Sequence, residues 1–340
     1  VAVPVVYVYR NGTVESVHFG NLAVVNADGK LLYRVGDPHA VTFLRSSAKP
    51  WQAIDIVESG AYRKFGFAPT HLAAICASHS GEEKHVKIVS EILDKIGISE
   101  KHLLCGIHTP LYYSANNITP PLGLQFSELH HNCSGKHAGM LALCKFHNYP
   151  LENYLDNNHP VQQTILENIA SLCKFPKDKI VVGVDGCSTP VHALPLYNIA
   201  WGFARFVSPN SVPSEKAKAY SAIYRAMIEN PDIVGGIGRF DTSLMSACRG
   251  KIVAKIGAEG VHCAGIVDKG MAMAAKIIDG ARRAIFPFSL EALHQLGEID
   301  DSQMESLKEF GSTVIRNYRD FEVGHLRADF KLEAVADPKA

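Results

Sequence analysis

No stretch of this 340-residue sequence is apolar for long enough to cross a bilayer, and neither sign of charge prevails, with 34 lysines and arginines against 34 aspartates and glutamates. The lack of a basic run argues against nucleic acid and anionic membranes as partners. The apolar start, Val1 to Tyr9, is far too short to span lipid and carries no signal-peptide cleavage pattern. No internal repeat and no low-complexity linker interrupts the chain. Neither Cys-x-x-Cys nor His-Glu-x-x-His occurs, and the eight cysteines sit in apolar segments without framework spacing. Free thiols in a reducing, cytoplasmic setting are therefore expected, with the sequons at Asn11, Asn117 and Asn132 accidental.

What is present is an ordinary globular composition, 47% hydrophobic and 20% charged, enough for one large domain or two smaller ones. Val5 to Asp37 reads as antiparallel strands turning at Asn11-Gly12 and Asp28-Gly29. A helix is expected from about Ser47 through Trp51, Ile54 and Val57 to Gly60, because Pro50 is tolerated only in a first turn. Leu72 to Ala77 reads as a buried strand or core segment. A helix follows with Val86, Val89, Ile92, Leu93 and Ile96 on its apolar face, closed by Gly97. Gly106 to Gln125, with three prolines, reads as a loop. Further helices are expected at 138–146, 160–172, 216–227, 269–278, 290–296 and 301–310. Strands are expected at 179–184 and in a hairpin whose arms, 251–257 and 261–267, flank Ala258-Glu259-Gly260. The resulting expectation is an α/β (α+β) fold in which strands from both chain ends share an antiparallel sheet and the middle forms a helical lobe. In residue terms, 1–44 and about 178–340 carry the sheet and about 45–177 are mainly helical, within one composite catalytic unit.

Arg45-Ser46-Ser47-Ala48-Lys49-Pro50 contains Ser-x-x-Lys, and Lys255-Ile256-Gly257 contains Lys-x-Gly. A serine is a poor nucleophile until a base takes its proton, and a lysine is a base only when neutral, which burial or a nearby cation favours. Ser46 falls at a helix mouth, where free N–H groups suit an oxyanion. The plain alternative is a capping serine beside a solvated lysine. In Ser78-His79-Ser80-Gly81-Glu82-Glu83, Ser80 and Glu83 have capping-box spacing, which leaves Ser78 the better second hydroxyl, although the motif alone keeps both open.

Cys133 and Lys136 lie three apart at a helix entrance, and Cys187 sits in the turn Asp185-Gly186-Cys187-Ser188-Thr189-Pro190. Two thiolates, a third ligand and a water would suit zinc, and buried free thiols are the alternative. Ser134-Gly135-Lys136 is no phosphate loop, because His137 stands where a hydroxyl should hold magnesium and His130 where the first glycine belongs. Gly235-Gly236-Ile237-Gly238 reads as a turn.

Taken in order, Arg45–Lys49, Ala77–Glu82, His131–His137, Asp185–Cys187 and Lys255–Val261 resemble the Rhizobium-etli-type L-asparaginases (asparaginase II), over nearly the whole chain. The resemblance implies hydrolysis of L-asparagine to L-aspartate and ammonia on a fold like that of serine β-lactamases and penicillin-binding proteins. It implies two serine–lysine pairs, Ser46 with Lys49 and Ser78 with Lys255, and a zinc on Cys133, Lys136 and Cys187. It also implies a homodimer, with no organic cofactor. Asp185 is the candidate for the substrate's α-ammonium, and Arg45, His137 and Gly257 complete the substrate-binding set. The rivals are a serine–lysine acyl hydrolase acting on another amide or a β-lactam, and a non-catalytic zinc-binding protein.

Overall fold

The computed structural model describes residues 1–311 and 313–336. The chain divides into two compact units, one made of Val1–Ser47, Leu194–Ser208 and Ala247–Ala340, the other of Ala48–Ala193 and Pro209–Ser246.

The first unit is built on a nine-stranded antiparallel sheet to which both chain ends contribute. In spatial order its main path runs Val314–Arg316, Glu322–Ala328, Val3–Arg10, Thr13–Asn26, Met271–Ile277, Val261–Ile266, Ile252–Gly257. Leu31–Val35 pairs with the far half of Thr13–Asn26, and with Glu333–Ala334. The expected turns at Asn11-Gly12 and Asp28-Gly29 are both present, with Asn11 (φ 45°), Gly12 (φ 79°) and Gly29 (φ 90°) in the left-handed region.

Residues 269–278 are not a helix. Met271–Ile277 is an interior strand between Thr13–Asn26 and Val261–Ile266, and its alanines and methionines are almost entirely buried. The reason lies on the two faces of the sheet. Gly265 faces Val207 at the end of helix Leu196–Phe206, whereas His262, three residues earlier and so on the opposite face, lies 3.0 Å from Ser289 Oγ of helix Arg282–Gln295. A strand covered on both faces shows no polar alternation, and Met-Ala-Met-Ala-Ala then resembles a helix by propensity.

The second unit is mostly helical. At its centre lies helix Pro69–Ile75, opened by Pro69, which takes in most of Leu72 to Ala77, expected as a buried strand or core segment. It packs against Glu83–Ile96, Ser134–His147 and Ser214–Glu229, and its residues from His71 to Ile75 are buried. The crossing with Ser134–His147 is close. A Cβ on Gly135 would fall on the carbonyl of Ala74, and one on Gly139 would lie 2.7 Å from Ile75 Cγ2.

The helix expected from Ser47 is broken at Ala53 into Lys49–Gln52 and Ile54–Glu58, after a 3₁₀ turn over Arg45–Ala48. The capping box expected of Ser80 is absent. The N-cap is Glu82, whose N–H donates to the His85 ring (3.2 Å), and the Ser80 hydroxyl donates to Gly235 O (3.0 Å). The proline-rich segment holds one short helix, Leu111–Ala115. Val181–Val184 pairs with Pro190–Pro195 around the Asp185–Thr189 turn. Among the described residues no helix is long and apolar enough to cross a membrane, and the eight cysteines are all buried and unbridged.

Candidate active site

Lys49 opens its helix beside Pro50, and its side chain is 1% exposed. Its Nζ lies 2.6 Å from Ala77 O, 3.1 Å from Asn132 O and 3.0 Å from Ser78 Oγ. A charged ammonium can donate to all three. A neutral amine has two N–H groups for the two carbonyls and turns its lone pair to the serine hydroxyl, so either state is satisfied. Burial holds the Lys49 pKa below its ordinary value, and Lys136 adds to the depression while Cys133 and Cys187 oppose it. The segment carrying Ser78 leaves helix Pro69–Ile75 and is fixed by its N–H to Val234 O (3.0 Å).

Beside this pair, in the same unit, lie Cys133, Lys136 and Cys187, which are 4%, 3% and 2% exposed. Lys136 Nζ stands 2.8 Å from Cys187 Sγ and 2.7 Å from Thr189 Oγ1. A hydrogen bond from Cys133 holds the Cys187 pKa far below the thiol range, with Lys136 and His137 adding to it against burial. That bond and burial raise Cys133 well above the range. Burial opposes charge on Lys136, but the two cysteines outweigh it and raise its pKa. The favoured state is therefore a thiolate, a thiol and an ammonium, a neutral set that can be buried.

His137 Nδ1 is hydrogen-bonded to the Tyr154 hydroxyl (2.6 Å), while Leu104 N–H donates to the same hydroxyl (3.0 Å). Burial lowers the His137 pKa to about 4 against the pull of Cys187. The ring is thus a neutral, fully buried wall of the cluster. Asp185 stays part-exposed in the turn and adds to the charge felt by Lys136.

These donors fit a zinc ion. Two sulfurs and an amine converge in a dry site, and a divalent cation would take the place of the Cys133 and Lys136 protons. Among the described residues no three His, Cys, Asp or Glu side chains gather as a metal site, so a metal here needs the lysine amine.

The first unit holds the other motif residues. Arg45, at φ 51°, is a non-glycine residue in the left-handed region, and it turns the chain into Ser46, which is half-buried. Gly257, ending strand Ile252–Gly257, comes so close that a Cβ there would meet Leu44 O at 2.7 Å and Arg45 Cβ at 3.3 Å. Two residues back, Lys255 is fully buried and donates to Ile256 O (2.9 Å). The Lys-x-Gly strand therefore passes against the turn that presents Ser46.

A family model described as L-asparaginase II matches residues 6–328. The chain belongs to that family. It is an L-asparaginase, an amidohydrolase whose substrate is asparagine. Among curated protein sequences none matches. A solved β-lactamase from Mycobacterium bovis is similar at 12% identity with a TM-score of 0.44, over 81% of this chain and 94% of that one.

For an L-asparaginase II the second unit thus gathers Lys49, Ser78, Cys133, Lys136, His137, Asp185 and Cys187, and the first holds Arg45, Ser46, Lys255 and Gly257. The cation that depresses Lys49 in its own unit is Lys136. Sequence reasoning missed the Tyr154–His137 bond, the Asn132 carbonyl and the Thr189 hydroxyl. Only Thr189 left a trace, as the hydroxyl residue two places after Cys187.

Proposed function

We propose that this L-asparaginase works by serine acyl transfer. Ser46 attacks the side-chain amide carbon of asparagine, Lys49 accepts its proton, and backbone N–H groups at the Ser46 turn stabilise the oxyanion. Ammonia leaves with a proton relayed by Ser78 and Lys255, and water then hydrolyses the acyl-serine to aspartate. Asp185 holds the α-ammonium and Arg45 the α-carboxylate, with His137 and Gly257 completing the binding set. The observation that supports Lys49 as a base is its buried amine, which has two carbonyls for its N–H groups and a hydroxyl, that of Ser78 and not of Ser46, at the third position.

Cys133, Lys136 and Cys187 would hold zinc, which when bound supplies a Lewis acid beside the substrate. The resemblance extends the proposal to a cytoplasmic homodimer that needs no organic cofactor. Ammonia release from asparagine should fall to background in Ser46→Ala, with zinc measured in the same preparation. Normal turnover by that variant would end the nucleophile assignment. Ring opening of a chromogenic β-lactam at a comparable rate would move the chemistry to another substrate.

A further inference from the structure

The Thr189 hydroxyl is 1% exposed and belongs to no role assigned above. It lies 2.7 Å from Lys136 Nζ and 3.3 Å from Cys187 Sγ, and Nζ and Sγ are themselves 2.8 Å apart. The three atoms close a triangle. A hydroxyl both accepts and donates, so Thr189 can take an N–H from Lys136 while giving its own proton to the Cys187 sulfur.

The turn explains why the side chain stands there. Asp185 N–H donates to Thr189 O (2.9 Å), Ser188 N–H donates to Asp185 O (2.9 Å), and Ser188 adopts a left-handed φ of 70°. The loop is thereby closed through its backbone, and Cys187 and Thr189 both face Lys136. A β-branched side chain on this frame has few rotamers to choose from. The closure does not use the hydroxyl, so removing the hydroxyl leaves the turn its own bonds.

We propose that Thr189 is a positioning residue for the metal site, holding the Lys136 amine and the Cys187 sulfur together so that zinc meets them already aligned. The proposal rests on the zinc reading above. An amine that gives its lone pair to a metal keeps two N–H groups, and inside a dry site each needs an acceptor. Thr189 supplies one of them before and after the metal arrives. Losing a partner of this kind typically weakens metal binding about 10–100-fold.

The test is zinc titration of the full-length protein against a chromophoric chelator, for wild type, Thr189→Val and Thr189→Ser. Wild type should bind one zinc per chain. Thr189→Val should bind about 10–100-fold more weakly, and its metal-free thermal midpoint should fall as Lys136 loses an acceptor; Thr189→Ser should restore both. If valine fails to fold, Thr189→Ala carries the same comparison. Wild-type affinity in Thr189→Val, or a serine variant as weak as the valine one, overturns the proposal. A wild type that takes up no zinc ends the metal reading itself, and Thr189's role with it.

Discussion

Replacing Gly135 by alanine tests whether the helix bearing Lys136 depends on close backbone contact. The new Cβ would fall on the Ala74 carbonyl oxygen and lie 2.7 Å from its carbon, where real Cβ contacts essentially never come under 3.0 Å. The obstacle is backbone of a buried helix, so no side chain can rotate away. Overpacking of this kind costs up to about 3 kcal/mol, and alanine recovers about 1 kcal/mol over glycine within a helix. The net loss is about 2 kcal/mol. Gly186→Ala, in the other cysteine motif, meets nothing within 4 Å and lies outside the positive-φ set, so it should be neutral or slightly stabilising. Gly139→Ala would meet the Ile75 side chain and not backbone, and should fall between them.

The chain has two tryptophans, Trp51 and Trp201, one in each unit. In a Trp201→Phe background, urea unfolding followed by fluorescence reports the unit containing Trp51. With an m-value of about 3 kcal/mol/M, the Gly135→Ala midpoint should drop by about 0.7 M. An unchanged midpoint, or an equal drop in Gly186→Ala, would refute the close-packing argument.

Lys49→Met should lower the rate of asparagine hydrolysis by about 10²–10⁴-fold, the usual loss with a general base, while circular dichroism stays native. Ser78→Ala should lose activity with it. Ser80→Ala should instead cost about 1 kcal/mol of stability, because that hydroxyl holds Gly235 O, and equal kinetic losses in both would invert the assignment. His192 should make the metal-free protein acid-labile. Burial, with Lys136, lowers its pKa from 6.5 to about 4, so below pH 6.5 the unfolded chain takes a proton that the fold refuses. Stability is then full above that pH and lost as pH falls toward 4, by about 2 kcal/mol at pH 5. Midpoints measured across that range should be flatter for His192→Gln than for wild type.

Two contacts of the candidate site join residues that the sequence singled out, Lys49 with Ser78 and Lys136 with Cys187, although the sequence had paired Lys49 with Ser46. The hairpin turns were readable as Asn-Gly and Asp-Gly, where left-handed backbone leaves few alternatives. Segments covered on all sides were not. Residues 72–75 and 271–275 are both apolar without a period, and only their neighbours decide which is helix and which is strand. The capping of Glu83–Ile96 was misread because the box sits two residues later, with Glu82 at the N-cap and the His85 imidazole in the part expected of Glu83. Thr189 was out of reach for another reason. Its partner Lys136 is 53 residues away in sequence, and no local pattern marks such a meeting.

The pairing of Val3–Arg10 with Glu322–Ala328 has a consequence for how the chain is made. One edge of the early strand finds Thr13–Asn26 at once, but the other waits for a segment translated about 300 residues later, a delay of roughly 15–60 s at ordinary ribosomal speed. For that interval Val6 and Val8 lie on a strand with an open edge, a ready template for the wrong neighbour. Nascent chains held by a ribosome-associated chaperone should therefore give more active enzyme than the same chains released unaided.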